Sequence, residues 1–368
     1  MTMIPSECEQ SSVPVSGSLR PPVFAIAPMI DWTDRHYRFL ARQLSRHAVL
    51  YTEMIVAEAV LRGQRERLLR REACETPVVL QLGGNDPAKL AEAARIGEGF
   101  GYGEINLNVG CPSDRVQSGT FGACLMKTPD LVADCVAAMK AAVSIPVTVK
   151  CRIGVDDQHP ELALRALTEK VRAAGVDALW VHARKAWLQG LSPKENREIP
   201  PLDYDLVTRL KAENPDLFIG LNGGLTTLDA AQAALERVDG AMVGRAAYHD
   251  SSLLSGVDAR LPHPLTGAPP ETAPAGGFTE AGHRRDPAFW EEVRDAMAAH
   301  SARHIAEGGR LVHVTRHMVG LFQGWAGARR FRQILSAEAT ARDAGPDIIH
   351  RAFAEVLQSE AARLPEAV

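Results

Sequence analysis

No stretch of 18 or more apolar residues occurs in the 368-residue chain, which excludes a membrane-spanning helix. Met1 to Ser18 lacks the basic start and apolar centre of a secretion signal. It is polar, carries Glu7 and Glu9, and reads as the main part of a disordered leader over residues 1–21. No two of the six cysteines (Cys8, Cys74, Cys111, Cys124, Cys135 and Cys151) stand as C-x-x-C, which argues against a structural zinc site. Cysteines used this way, without a secretion signal, suit a reducing cytoplasm. The histidines are scattered and none belongs to an H-E-x-x-H arrangement, so no metal is expected. The 30 glycines and 23 prolines follow no repeat, which excludes a collagen-like chain. Neither sign of charge dominates: 41 basic residues face 45 acidic ones, a net −4. That argues against a general polyanion binder but leaves room for a local basic face. No G-x-G-x-x-G follows a candidate strand, so the chain carries no recognisable dinucleotide-binding fingerprint.

At 46% hydrophobic and 23% charged, the chain has the composition of a folded protein with one large domain, or a large and a small one. Short apolar runs alternate with Ala-rich amphipathic stretches over residues 22–255. The runs are Val23–Ala27, Ala48–Thr52, Val78–Leu82, Ile105–Val109, Val147–Cys151, Ala178–His182, Phe218–Asn222 and Gly240–Val243. Eight strands with room for helices between them predict an α/β fold, a (β/α)8 TIM barrel in preference to an open doubly wound sheet. Residues 256–286 read as a linker or flexible insert, because Leu261–Gly282 is rich in Pro, Gly, Thr and Ala. Residues 287–368 carry only helical patterns and predict a small all-α helical-bundle domain. Within it, Leu311–Leu335 contains no acid but holds Arg316, Arg329, Arg330, Arg332, His313 and His317.

Barrel chemistry belongs at the C-terminal ends of the strands, so the residues that end each run are informative. Pro28, Met29 and Ile30 come after the first and Glu53 after the second. Gln81 lies in the third, and Asn106, Asn108 and Cys111 come from the fourth. Lys150 and Arg152 end the fifth; His182, Arg184 and Lys185 end the sixth. Asn222-Gly223-Gly224 and Gly244-Arg245 close the last two. Polar, chemically capable groups at every end point to an enzyme rather than a structural barrel. Glycines let a backbone approach a ligand, and the loops after strands seven and eight are this fold's usual phosphate pocket. One pair alone reads equally well as tight turns; two in register favour a phosphate, with Arg245 adding a charge-assisted bond. Lys150 and His182 suit a delocalised anion such as a reduced flavin ring, although His182 alone fits a core histidine as well. Gln81 fits the ring edge, and the Pro28–Ile30 backbone fits its face. Cys111, in a Gly/Pro-flanked loop at the catalytic face, is the candidate proton donor or nucleophile. Cys124, Cys135 and Cys151 read as packing residues.

The run Ile105-Asn106-Leu107-Asn108-Val109-Gly110-Cys111-Pro112, continuing through Val116 to Gly122 and Ala123, resembles the signature of the tRNA-dihydrouridine synthases. Ala27-Pro28-Met29, the Lys150 strand, Asn222-Gly223-Gly224 and Gly244-Arg245 match as well. His182 to Arg197 and Gly327-Ala328-Arg329-Arg330 resemble the A subfamily, and the likeness covers Pro22 to Leu335. It implies an FMN-containing barrel followed by a helical tRNA-binding domain. The implied reaction reduces uridine to 5,6-dihydrouridine with NADPH, in the D-loop at positions 20 and 20a. It passes hydride from reduced FMN to C6 and a proton from Cys111 to C5. The resemblance places Asn108 on the target uracil, and Pro28, Met29, Ile30, Gln81, Lys150, His182, Asn222, Gly223, Gly224, Gly244 and Arg245 on FMN. It places Lys194, Arg197, Arg329 and Arg332 on tRNA, with Arg184, Lys185 and Arg330 as further contacts. A monomer is expected. The 261–282 insert is longer than the resemblance leads one to expect. The alternatives are a flavin-dependent small-molecule ene reductase of the dihydroorotate-dehydrogenase type and an RNA-binding protein without catalysis. Neither accounts for both the helical arginines and the Cys111, Lys150 and His182 set.

Overall fold

The computed structural model describes residues 17–112, 121–274 and 276–361; the leader up to residue 16 and Val116 of the long motif lie outside them. Nine strands are present among the described residues: β1 (Val23–Ile26), β2 (Leu50–Tyr51), β3 (Ile55–Val56), β4 (Val78–Gly83), β5 (Glu104–Val109), β6 (Val147–Arg152), β7 (Ala178–His182), β8 (Phe218–Asn222) and β9 (Gly240–Val243). All pair in parallel in the order β1-β9-β8-β7-β6-β5-β4-β2, and an Ala25–Val49 bridge joins the two ends. The eight expected runs are thus the eight staves of a (β/α)8 barrel. The extra strand, β3, pairs only with the end of β4 and is two residues long, too short for a sequence pattern to mark.

The helices between strands form for local reasons. Asp86 accepts from the backbone N–H groups of Ala88 and Lys89, and Pro87 starts the helix Pro87–Gly99. Leu90, Ala93, Ala94 and Gly97 are its buried face, at the spacing of one helical stripe. Strand alternation sorts the other layer. Val23, Ala25 and Ala27 point into the barrel with Val49, Tyr51, Val79, Trp180 and Met242, while Phe24 and Ile26 face the helices.

Trp180 fills the lumen because its neighbours make room. A Cβ on Gly220 would lie 2.1 Å from Trp180 Cε3, and one on Gly240 would lie 2.5 Å from Cη2. Gly220→Ala is therefore an overpacking change, expected to cost about 1–3 kcal/mol in urea unfolding. A variant as stable as the wild type would show that the indole can step aside.

Helices Pro287–Ala306, Leu311–Thr315, Ala328–Ala337 and Asp347–Ala361 follow the barrel. Trp290, Phe322, Phe331 and Phe353 pack at steep ring angles, with Phe322 4.6 Å from Trp290 and 5.1 Å from Phe331. The stretch expected to be a linker or flexible insert is tied down. Pro264 C=O accepts from Arg20 N–H, Asp258 C=O accepts from Glu271 N–H, and His283 is buried against Asp250 and Trp325. No helix among the described residues is long and apolar enough to cross a membrane.

The helical segment docks on the barrel through histidines. Asp34 caps the helix Arg35–Leu44 and also receives Arg316 at 2.6 Å and His317 at 3.0 Å. Arg316 and His317 of the acid-free segment therefore serve the docking contact rather than an open basic face. Next to them, His36 Nδ1 meets His300 Nε2 at 2.9 Å, with His304 against the same ring. Burial, then the surrounding arginines and histidines (Arg35, Arg303, His304), lowers His36 to about 2 and His300 to about 3; only Asp34 pulls His36 the other way. Both are neutral in the fold but charged in the unfolded chain below its ordinary histidine value. Stability is therefore complete above about pH 6.5 and is lost as pH falls below it, at about 1.4 kcal/mol per unit per histidine. Urea unfolding should weaken by about 2–3 kcal/mol between pH 6 and pH 5. A flat profile there would contradict the docking geometry.

Candidate active site

The C-terminal mouth of the barrel is organised by one chain of side-chain hydrogen bonds. Asn106, Thr148 and Glu104 point into the lumen beneath Gln81 and Asn108. Thr148 Oγ1 donates to Glu104 at 2.5 Å, and Asn106 Nδ2 donates to Thr148 at 2.8 Å. Gln81 Nε2 donates to Asn106 at 2.8 Å, and Asn108 Nδ2 donates to Gln81 Oε1 at 2.9 Å. Asn108 Oδ1 then accepts the backbone N–H groups of Gly110 and Cys111, at 3.1 and 3.0 Å. Every donor points down toward Glu104, so the orientation of each amide is fixed by the next. Burial pushes Glu104 up to about 7, against the hydrogen bonds from Thr148 and Tyr51. The Cys111 turn is in this way fastened to the barrel floor. Gln81 and Asn108 each keep one amide N–H for a ligand.

Arg152 fastens the same turn from the side. It is buried and donates to the carbonyls of Gly110, Lys185 and Asn196, at 3.2, 3.3 and 2.9 Å. Burial is the larger cause, and the neighbouring cations Arg197 and Arg184 add to it, so its guanidinium drops to about 10. The sequence marks Arg152 as a strand end but gives it no place among the binding residues. The available signal was alternation: Thr148, Lys150 and Arg152 lie on one face of β6.

Lys150 stands opposite Asn108 in the β5–β6 register, and no hydrogen bond or ion pair holds its ammonium among the described residues. Burial, reinforced by Arg152, lowers it to about 8. His182 ends β7 beside Asn222 of β8, and its buried Nε2 has no hydrogen-bond partner. Burial, then Arg152 and Lys150, pushes the His182 imidazole well below its ordinary range, so it is neutral. Gly223 and Gly224 have φ of 107° and 72°, conformations open to glycine. A Cβ on Gly223 would lie 2.9 Å from His182 Nε2, and one on Gly224 would lie 2.7 Å from the Tyr204 hydroxyl. Asn222 is fixed by donating to the Met242 carbonyl at 2.7 Å.

The remaining residues fall into three places. Met29 lies beside Gly244, where β1 and β9 end, with Pro28 half-buried and Ile30 exposed at the rim. Arg245 is paired with Glu198 at 2.5 Å and reaches the Arg197 carbonyl, which draws the β7 loop over the mouth. In that loop Arg184 donates to the Pro200 carbonyl, Lys185 lies 5.2 Å from the Trp187 ring, and Lys194 and Arg197 are exposed. Arg329, Arg330 and Arg332 are exposed on the helix Ala328–Ala337, away from these contacts; Arg330 faces Glu338 and Glu355 at 4.0 and 3.9 Å. Beside the mouth, a cleft of about 820 Å³ lined by Arg35, Arg38, Arg67, Arg70, Glu53 and His304 opens toward the helical segment.

Cys111 is not in a disulfide and is half-buried. It belongs to the same electrostatic neighbourhood as Lys150, Arg152 and Arg197. An imidazole nitrogen without a partner, an ammonium unpaired among the described residues, two spare amide N–H groups and a glycine cradle lie together at the C-terminal ends of the barrel strands. That donor-rich set fits a planar, anionic, phosphate-bearing ring such as FMN.

Comparison with known proteins agrees with this chemistry. The family model described as dihydrouridine synthase (Dus) matches residues 25–359. The tRNA-dihydrouridine(20/20a) synthase of Shewanella oneidensis is 50% identical over 333 residues, 90% of this chain and 93% of that protein. Proteins of the same description from Pseudomonas putida and Escherichia coli are 53% and 50% identical, over 86% and 88% of this chain and 88% and 92% of theirs.

Proposed function

The chain belongs to the dihydrouridine synthase family, and we propose that it reduces uridine to 5,6-dihydrouridine at positions 20 and 20a of the tRNA D-loop. FMN is the bound cofactor and NADPH the reductant in this reading. The observation that carries it is Cys111, fastened by Asn108 and Arg152 at the rim of a mouth that also holds Lys150 and His182.

Bound reduced flavin supplies hydride to C6 of the uracil. The chain supplies what remains. Hydride addition leaves negative charge between C5 and O4, and Cys111 delivers the proton to C5 as a neutral thiol. Asn108 directs its spare N–H at the uracil while its oxygen holds the Cys111 turn. Lys150 and neutral His182 face the anionic edge of the cofactor ring, and Gln81 offers its spare N–H to the same ring. Pro28, Met29 and Ile30 line the ring face. The Asn222, Gly223, Gly224 and Gly244 backbone cradles the phosphate; Arg245 joins it by leaving Glu198.

The target uridine sits in a structured loop and must be splayed from its stack to reach this depth. Lys194, Arg197, Arg184 and Lys185 around the mouth, with Arg329, Arg330 and Arg332 on the helical segment, contact the tRNA backbone. The division is a catalytic barrel over 22–255, a linker or insert over 256–286 and a tRNA-binding helical domain over 287–368, after a leader over 1–21. The protein acts as a cytoplasmic monomer.

The direct test incubates the purified protein with NADPH and either unmodified tRNA or free uridine, and maps dihydrouridine by position. Reduction of the tRNA at 20 and 20a, with free uridine untouched, is the expected result. Reduction of free pyrimidines alone would move the assignment to a small-molecule ene reductase.

A further inference from the structure

At the opposite end of the barrel from the mouth, three side chains far apart in sequence converge. His47 lies in the loop before β2, Asp258 follows the turn Ser251–Gly256, and Glu271 belongs to the long insert. One ligand atom from each, an imidazole nitrogen and two carboxylate oxygens, lies within 4.8 Å of the others. No ion pair or hydrogen bond links the three side chains to one another among the described residues.

We propose that His47, Asp258 and Glu271 form a binding site for one divalent cation of the zinc class, which staples the insert to the barrel floor. His47 is buried, and its Nδ1–H is committed to the Leu261 carbonyl at 2.7 Å. Nε2 makes no hydrogen bond among the described residues and is the nitrogen left to ligate, as in a metal-ligating histidine whose other ring nitrogen is tied to a carbonyl. Asp258 is buried and held in place from behind. Its Oδ1 accepts from Ser45 Oγ and His47 N–H at 2.5 and 3.1 Å, and its Oδ2 accepts from Arg46 N–H at 2.7 Å. One Oδ2 lone pair is left over. Glu271 is exposed, but its backbone N–H donates to the Asp258 carbonyl at 2.8 Å, which keeps its side chain at the rim.

An imidazole nitrogen and two carboxylate oxygens therefore lie together with no hydrogen bond between them among the described residues, a grouping of ligand atoms that a divalent cation fits. One imidazole and two carboxylates suit a borderline divalent ion with a position left for water. Zinc–ligand bonds of about 2.0–2.2 Å require the three atoms to draw about an ångström closer. Glu271, on an exposed loop, is the member able to move. The neighbouring groups compete only at long range. His263 lies edge-on to His47 at 5.3 Å, with its Nδ1 accepting from Leu265 and Thr266 N–H. Arg42, a buried cation nearby, spends its Nη1 and Nη2 donors on the carbonyls of Ser45, Ala48, Glu75 and Pro77, while its Nε has no partner. Arg284 pairs with Glu271 at 3.9 Å, a long ion pair that the metal would replace.

The test uses the full-length protein, stripped with a chelator and titrated with zinc sulfate. The expected result is one equivalent of zinc bound at micromolar Kd or tighter, with a zinc-dependent rise in Tm. Glu271→Gln, at an exposed position where folding is not at stake, should weaken binding at least tenfold and remove most of the Tm rise. His47→Gln should weaken it further. Wild-type binding no tighter than millimolar would overturn the proposal. So would zinc binding that Glu271→Gln leaves unchanged, because the ion would then belong to Cys111 or to the docking histidines.

Discussion

Cys111→Ala should lower the rate of dihydrouridine formation on tRNA by about 10²–10⁴-fold, the range that a positioned general acid contributes. The same variant should bleach its flavin with NADPH at the wild-type rate, because that half of the reaction needs no proton at C5. The turn is built without the thiol: Asn108 Oδ1 holds the Cys111 backbone N–H, Arg152 holds the Gly110 carbonyl, and the Cys111 carbonyl accepts from Ala123 N–H at 2.9 Å. Removing one sulfur thus leaves the backbone geometry intact. The prediction is a split between two half-reactions, which a merely unfolded variant would not show. Cys111→Ser should recover little, since a hydroxyl is a much weaker acid. Equal losses in both half-reactions would place Cys111 in cofactor binding instead.

Lys150→Met should have the second largest effect and the opposite signature. Its ammonium is held by no partner among the described residues, so its charge is available to the cofactor ring. Flavin bleaching by NADPH should slow by about 10²–10³-fold, as for loss of a preorganised charge-stabilising donor. The wild-type profile carries a further mark of this residue. A lysine lowered to about 8 by burial and by Arg152 is charged below that pH and neutral above it. The bleaching rate of the wild type should fall as pH rises through about 8, and Lys150→Met should lack that limb. A wild-type rate that stays flat well above that pH would remove Lys150 from this role.

Much of this was legible in the sequence because it rests on local rules. The eight staves appear as apolar runs, since a barrel strand is buried on both faces. The mouth residues emerge because each strand hands its chemistry to the loop that comes next. The hydrogen-bond chain from Glu104 to Cys111 was not legible. Gln81, Asn106 and Thr148 meet only through the β4–β5 and β5–β6 registers, which no single run reveals. Arg152 was in view at the end of its strand, but its role as a clamp depends on three carbonyls from separate loops. Arg316 and His317 belong to an acid-free stretch that suggests a nucleic-acid face. Asp34, nearly 300 positions away, claims both. The same limit hid the His47, Asp258 and Glu271 cluster, whose members share no motif spacing. The insert reads as loose from its Pro and Gly content, while its anchors at Arg20, Asp258 and Asp250 are tertiary.

The most direct test of the central claim is dihydrouridine content, position by position, in tRNA from cells lacking this gene and complemented with the wild type or with Cys111→Ala. The expected result is loss at positions 20 and 20a, restored by the wild type and not by the variant. Unchanged dihydrouridine at those positions, with no other synthase acting there, would contradict the assignment.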